Sequence, residues 1–409
     1  MSFLPRLIAT AAVAGLIAAG STVTGPGAPA AAAPGADALR FATFNASLNR
    51  GALGQLQSDL STPDNAQART IAEIVQRTRP DVLVLQEFDF DAEGRSVELF
   101  AENYLERGQN GADPIDYPYS FTAPVNTGVP SGFDLNNDGT VGGGDDAWGF
   151  GLFPGQYGMV VYSRHPIATE DVRTFQHFRW ADMPGALLPD DPATPAPADW
   201  YSEEELASLP LSSKSHWDVP VEVDGRTVHL LTSHPTPPTF DGAEDRNGRR
   251  NADEIRFWAD YVSGLRGSAY IYDDEGRRGG LRAGSSFVIA GDQNADPLDG
   301  DSVPGAADQL LDHPRVNPSR TPSSEGAVEA SELQGGPNDE HVAPPAQDTA
   351  DFAEPPGNIR VDYVLPSRDL RIRDSGVFWP TSDDPLSRLT GTFPFPSSDH
   401  RLVWVDLRV

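Results

Sequence analysis

The 409 residues include no cysteine. That excludes disulfide staples, thiolate nucleophiles and thiolate metal sites. Order must come from a large core or from bound ions instead. Lysine is almost missing too: of 30 basic residues, all but Lys214 are arginine. Arginine presents a planar fork suited to two-point phosphate contacts. Positive charge as a whole is scarce, with 60 acidic residues against 30 basic ones and a net charge of −30. A polyanion is repelled at long range by such a chain, which argues against a broad nucleic-acid surface but not against a local phosphate site. There is no G-x-S-x-G elbow, no P-loop, no dinucleotide fingerprint and no internal repeat. The contiguous run Ser398, Asp399, His400 is not a serine-hydrolase triad, because adjacent residues cannot adopt that geometry.

What is present is an ordinary globular composition, 38% hydrophobic and 22% charged, long enough for a sizeable core. Residues 1–36 read as a signal peptide and linker: Arg6, a short apolar run over 7–19, then small residues with Ala-x-Ala options up to Ala33. Secretion is the expectation, with a retained anchor as the alternative; the apolar run is short for a bilayer span. Residues 37–409 read as one domain with inserts near 101–150, 181–215 and 298–357. The last insert holds 12 acidic and 2 basic residues, and it is expected to stand away from the active face. A monomer is expected.

Strands are predicted at 39–47, 81–87, 157–163, 216–223, 227–235, 285–294, 359–366 and 401–409. A helix over 64–79 is capped by Asp64 or Asn65 and stopped by Pro80, and another spans 252–266. Strand, helix and strand in under about fifty residues suggest a βαβ-like opening. The turn at 223–225 reads as a hairpin. Many strands with few helices favour an α/β (α+β) fold of two packed sheets with helices outside.

Polar residues recur where the apolar runs end: Asn45, Glu87, His234, Asp292, Asn294, Asp362, Asp399 and His400. Singly, each reads as a turn residue or a structural histidine. Together they suit phosphate-ester chemistry. An anionic ester needs a cation, hard oxygen donors suit magnesium, manganese or calcium, and a histidine oriented by a carboxylate can activate water.

The ordered motifs TFN, LQE, SH, GDQN (291–294), DY and SSDH (397–400) resemble the endonuclease/exonuclease/phosphatase superfamily, the deoxyribonuclease-like fold. The resemblance spans about 39–409. It implies a four-layer sandwich of two mixed β-sheets flanked by helices, and metal-dependent phosphoester hydrolysis. It implies Glu87 as the principal metal carboxylate, supported by Asn45 and Asp399, with Mg2+ or Mn2+ as the ion. Asp292 and Asn294 would orient water and phosphate. His400, held by Asp362, would be the base, and His234 would contact the phosphate or leaving group. Gln156 or Tyr157 would reach the phosphate. Arg246, Arg249 and Arg250 either clamp a phosphate or pair with Glu244, Asp245 and Asp253. The substrate would be a phosphorylated small molecule, a lipid headgroup or a nucleic acid.

A second metal signal lies at 134–145, DLNNDGTVGGGD. Asp134, Asn136, Asp138, the Thr140 carbonyl and Asp145 match positions 1, 3, 5, 7 and 12 of a calcium loop, with Gly139 at position 6. A structural Ca2+ would stand in for absent disulfides. The alternative function is a non-catalytic calcium-binding extracellular module on the same fold.

Overall fold

The computed structural model describes residues 38–353 and 355–409. The expected signal peptide lies outside the described residues. In chain order the strands are β1 (Leu39–Asn45), β2 (Val82–Gln86), β3 (Tyr119–Phe121), β4 (Met159–Ser163), β5 (Arg173–Thr174), β6 (His216–Val223), β7 (Arg226–Ser233), β8 (Ser286–Asp292), β9 (Ala350–Asp351), β10 (Asn358–Ile359), β11 (Asp362–Pro366), β12 (Arg371–Val377) and β13 (Val403–Arg408). One sheet has six strands in the order β12-β13-β1-β2-β4-β3, and the other has five in the order β11-β8-β7-β6-β5. β9 and β10 form a separate pair. Each large sheet is mixed: β1 runs parallel to β2 and β7 parallel to β8, while the other neighbours are antiparallel.

The period-two pattern assigns each face. Phe41, Val82, Val84, Met159 and Val161 point inward and meet Val219, Val221, Leu230, Val288 and Ala290 from the facing sheet. The alternate residues Phe44, Leu83, Leu85, Val160 and Tyr162 pack outward against Ile71, Ile74 and Val75 of helix Ala66–Thr78. On the far side, Leu231, Phe287 and Ile289 pack against Ile255, Trp258 and Val262 of helix Arg246–Val262. The result is the expected sequence of helix, sheet, sheet and helix layers.

Local signals explain most boundaries. Asn65 caps the first of these helices by accepting the Ala68 N–H at 3.0 Å, and Arg79 ends it in the left-handed region before Pro80. The β6–β7 hairpin turns on Asp224 and Gly225, both at positive φ, as a tight two-residue connection requires. Helix Arg246–Val262 begins six residues before the predicted start, because Asp241 accepts the Asn247 N–H at 2.7 Å and anchors a polar first turn. β12 escaped the sequence reading: RIRDSGV is an edge strand whose exposed face is charged, and it carries a bulge between Ile372 and Asp374. The 298–357 insert is not plain loop either, since it contains helix Glu325–Gln334 and β9. Trp180 and Trp200 of the 181–215 region and its flank are packing residues, with Trp180 fully buried and its indole N–H on Asp253 at 2.7 Å.

One buried ion pair ties β1 to its neighbour β13 inside the six-stranded sheet. Arg40 on β1 meets Asp406 on β13 through two bonds, at 2.6 and 2.8 Å, donates to the Thr78 carbonyl at 2.6 Å, and stacks over Trp404 at 3.8 Å. Removing one partner of such a pair leaves the other charge buried. We expect Asp406→Asn to cost roughly 3–5 kcal/mol in denaturant unfolding; a loss below about 1 kcal/mol would show the pair to be solvated.

Candidate active site

Strand direction gathers the polar ends. Because β1 and β2 are parallel and Asn45 pairs with Gln86, Asn45 and Glu87 finish side by side. β13 is antiparallel to β1, so Asp399 and His400, which precede it, arrive at the same end. In the second sheet β7 and β8 are parallel, which brings His234 beside Asp292. β11 is antiparallel to β8 with Asp362 opposite Asp292. All eight predicted strand-end positions thus sit at one rim of the sandwich, where rigid strands aim side chains into a cleft.

Asp292 is the hub. Its Oδ2 lies 3.1 Å from Asn45 Nδ2, 3.4 Å from His234 Nε2 and 3.6 Å from His400 Nε2. Its Oδ1 accepts the Asn294 N–H at 2.8 Å, while the Asn294 amide donates to the Pro235 carbonyl at 3.1 Å. His400 Nδ1 is 2.9 Å from Asp362 Oδ2, and that oxygen also accepts the Thr349 hydroxyl at 2.8 Å. Glu87 takes the Asn45 amide at 3.2 Å and the Asn49 amide at 2.7 Å. Asp399 accepts from Ser47 and Ser398 at 3.4 and 3.3 Å. Glu87, Asn294 and Tyr157 are held at positive φ (55°, 50° and 56°), each costing roughly 1–3 kcal/mol.

The electrostatics separate the two histidines. Burial would lower His400, but the carboxylates of Asp362 and Asp292 outweigh it and hold its imidazole well above the ordinary value. Burial, then Lys214 and His400, push His234 well below it, so His234 is neutral. Burial raises Asp292 to about 6, with Asp362 adding and His400 opposing. Burial also raises Glu87, with Asp399 adding and His400 and Asn45 opposing. Two carboxylates held up by burial in an oxygen-rich pocket are a donor set that a hard divalent cation fits. Among the described residues, Asp292, Asp362 and His400 are the group of three such side chains whose ligand atoms converge within 4.8 Å.

The sequence profile described as the Endonuclease/Exonuclease/phosphatase family matches residues 42–400. The chain belongs to this family. Among solved structures it is similar to an endonuclease/exonuclease/phosphatase from Beutenbergia cavernae (19% identity, TM-score 0.50, covering 91% of this chain and 72% of that one). It is also similar to a family protein from Leptotrichia buccalis (13%, TM-score 0.47, 91% and 100%) and to sphingomyelinase C from Streptomyces griseocarneus (16%, TM-score 0.42, 90% and 99%). The first of these supports the fold alone. Comparison with curated protein sequences gives no match.

Beside these strand-end residues lies a cavity of 480 Å³, floored by Glu87, His234 and Lys214 and walled by Tyr157, Arg246 and Phe240. Of the two predicted phosphate contacts, Tyr157 faces this cleft. Gln156 does not: its amide donates to the Arg50 carbonyl at 2.7 Å and accepts the Leu152 N–H at 2.7 Å, so both of its ends serve the loop. The arginines divide similarly. Arg246 pairs with Glu244 at the cleft wall, and Arg249 is 3.9 Å from Asp245. Arg250 is buried and donates to the carbonyls of Leu211, Trp148 and Pro210.

Three participants escaped the sequence reading. Lys214 is buried in the cleft floor, lowered by burial but drawn up by Glu254, Glu87 and Asp292. Its signal was its rarity as the sole lysine. Asn49 lies four residues past the first motif and carried no signal. Thr349 lies in the acidic insert, which the sequence reading set apart from the active face. That expectation is overturned: Ala350 bridges His400, and Phe352 packs edge-on to its ring at 5.2 Å.

In the 134–145 loop, Asp134 accepts the N–H groups of Asp138 (3.1 Å) and Gly139 (2.8 Å), and Asp138 accepts that of Thr140 (2.8 Å). Asn136 Oδ1 also accepts the Asp138 N–H, at 3.1 Å. The residue that closes the loop is Asp146, which accepts Leu135 and Gly142 N–H at 2.7 Å each, whereas Asp145 is exposed and lines the cleft.

If Asp362 holds His400 in its charged form, Asp362→Asn lowers the His400 pKa by about one unit or more in an NMR titration of metal-free protein. An unchanged value would mean that Asp362 does not govern the imidazole.

Proposed function

We propose that this protein hydrolyses a phosphate ester with the aid of a divalent cation, Mg2+ or Mn2+. The carrying observation is the convergence of the Asp362–His400 pair, Asp292, His234, Asn45 and Glu87 on one cleft. Glu87 would hold the cation, with Asn45 and Asp399 in support. A bound divalent cation supplies charge that offsets the phosphate and the surrounding carboxylates, and so eases loss of the His400 proton. His400 then takes a proton from water at Nε2, while Asp362 fixes the ring through Nδ1. Asp292 and Asn294 orient that water. Neutral His234, 3.4 Å from the same oxygen of Asp292, would give a hydrogen bond, not a proton, to the phosphate or to the departing oxygen. Lys214 adds fixed positive charge to the cleft floor, and Tyr157 borders the phosphate.

Of the three substrate classes, a phosphorylated small molecule has most support. The cleft volume is that of a small-ligand site. A net charge of −30 opposes a polyanion at long range. The 134–145 loop is proposed to hold a structural Ca2+ through Asp134, Asn136, Asp138 and the Thr140 carbonyl, closed by Asp145 or by its inward-turned neighbour Asp146. Export is proposed on the sequence of the N-terminal apolar run over 7–19.

The test is turnover of a chromogenic phosphodiester and phosphomonoester, plasmid DNA and sphingomyelin, each with magnesium and with chelator. We expect at least one chelator-sensitive activity, cut about 10²–10⁴-fold by His400→Ala. Activity indifferent to both treatments, or silence on every substrate, would refute the reading.

A further inference from the structure

Ser213, Lys214, His234 and Thr236 line the cleft, and the loops that carry them are held by two side chains of helix Arg246–Val262. Asn251 and Glu254 lie three residues apart on one face of that helix. Both are buried, at 0% and 1% exposure, and neither takes part in the chemistry above. Glu254 accepts on both oxygens. Its Oε1 takes the Ser213 N–H at 2.7 Å and the Ser213 hydroxyl at 3.1 Å, and its Oε2 takes the Thr236 N–H at 2.6 Å. Asn251 donates. Its Nδ2 lies 2.8 Å from the Thr236 carbonyl and 2.9 Å from the Gln293 carbonyl, with that of Asn294 at 3.5 Å. Its Oδ1 has no hydrogen-bond partner among the described residues, so donation is all that this amide does.

The peptide unit between Pro235 and Thr236 carries the consequence. A trans peptide is planar, and its N–H and C=O point in opposite directions. Glu254 holds the N–H. The C=O accepts Asn294 Nδ2 at 3.1 Å and Lys214 Nζ at 3.4 Å. Fixing one edge of the plane therefore fixes where the other edge meets the lysine of the cleft floor and the amide assigned to orient water. Asn251 secures the same loop through its next carbonyl and ties it to Gln293, the residue between Asp292 and Asn294. Glu254 also grips Ser213, the residue before Lys214.

We propose that Asn251 and Glu254 are positioning residues that set Lys214, His234 and Asn294 relative to one another without touching substrate. The inference rests on the hydrolytic reading and adds to it two residues outside the cleft. Side chains on a rigid helix suit this task, because a small misplacement of reacting groups is costly in rate.

The experiment compares full-length wild type with Glu254→Gln and Asn251→Ala, and with Ile255→Val, a control in the apolar core of the same helix. Glutamine keeps the shape of Glu254 but turns an amide N–H toward one of the N–H donors it must accept. Kinetics are measured on whichever phosphoester the wild type hydrolyses, and amide hydrogen exchange is followed in parallel. We expect both clamp variants to lose about 10–100-fold in kcat, with KM changing much less. Ile255→Val keeps wild-type kcat, although it melts earlier. Exchange quickens at 213–214 and 236 in Glu254→Gln, and at 236 and 292–294 in Asn251→Ala. Wild-type kcat in both clamp variants, an equal loss in Ile255→Val, or unchanged exchange in these loops would each overturn the proposal. Should Glu254→Gln not fold, Asn251→Ala decides by the same two measurements. A wild type silent on every phosphoester refutes the hydrolytic reading instead, and the clamp then stands or falls on the exchange rates.

Discussion

The 3.1 Å contact between the Asn45 amide and Asp292 Oδ2 joins the end of β1 in one sheet to the end of β8 in the other. The apolar faces behind it set the spacing of the sheets, and a fully buried carboxylate at their rim must find partners there. Asn45, His234 and His400 are those partners. Their positions follow from strand polarity: parallel β1–β2 and β7–β8 pairs deliver residues at their C-terminal ends, and antiparallel β11 and β13 deliver residues at their starts. The site is a by-product of topology with a specific price in buried charge.

That charge balance gives the two histidines different roles. His400 is bracketed by two carboxylates and holds its proton strongly, whereas His234 meets Lys214 and His400 and stays neutral. Glu87 lies between amide donors, with no ion pair to any basic side chain among the described residues. Such a pocket is one that a divalent cation would fit.

Much of this was legible in the sequence because two independent signals coincide. Period-two apolar runs located the main strands, and a polar residue at each end located Asn45, Glu87, His234, Asp292, Asp362 and His400. β12 was not legible, since a charged edge strand lacks that period. Thr349 and Asn49 were not legible because their partners are 13 and 38 residues away and nothing local marks them. The choice between Gln156 and Tyr157 depended on a left-handed turn at Tyr157 that no spacing reveals. The acidic insert misled for a physical reason: its composition reads as solvated loop, yet Thr349 and Ala350 are buried against His400.

The central claim is that Glu87 anchors a catalytic cation beside the Asp292 hub. Anomalous scattering from crystals soaked in Mn2+ tests it most directly. The account predicts a manganese peak within coordination distance of Glu87, about 2.0–2.3 Å from a carboxylate oxygen as for other small divalent ions. It also predicts that Glu87→Gln erases that peak while leaving the fold intact. A cleft without manganese at Glu87, in crystals whose protein hydrolyses phosphoesters, would contradict it.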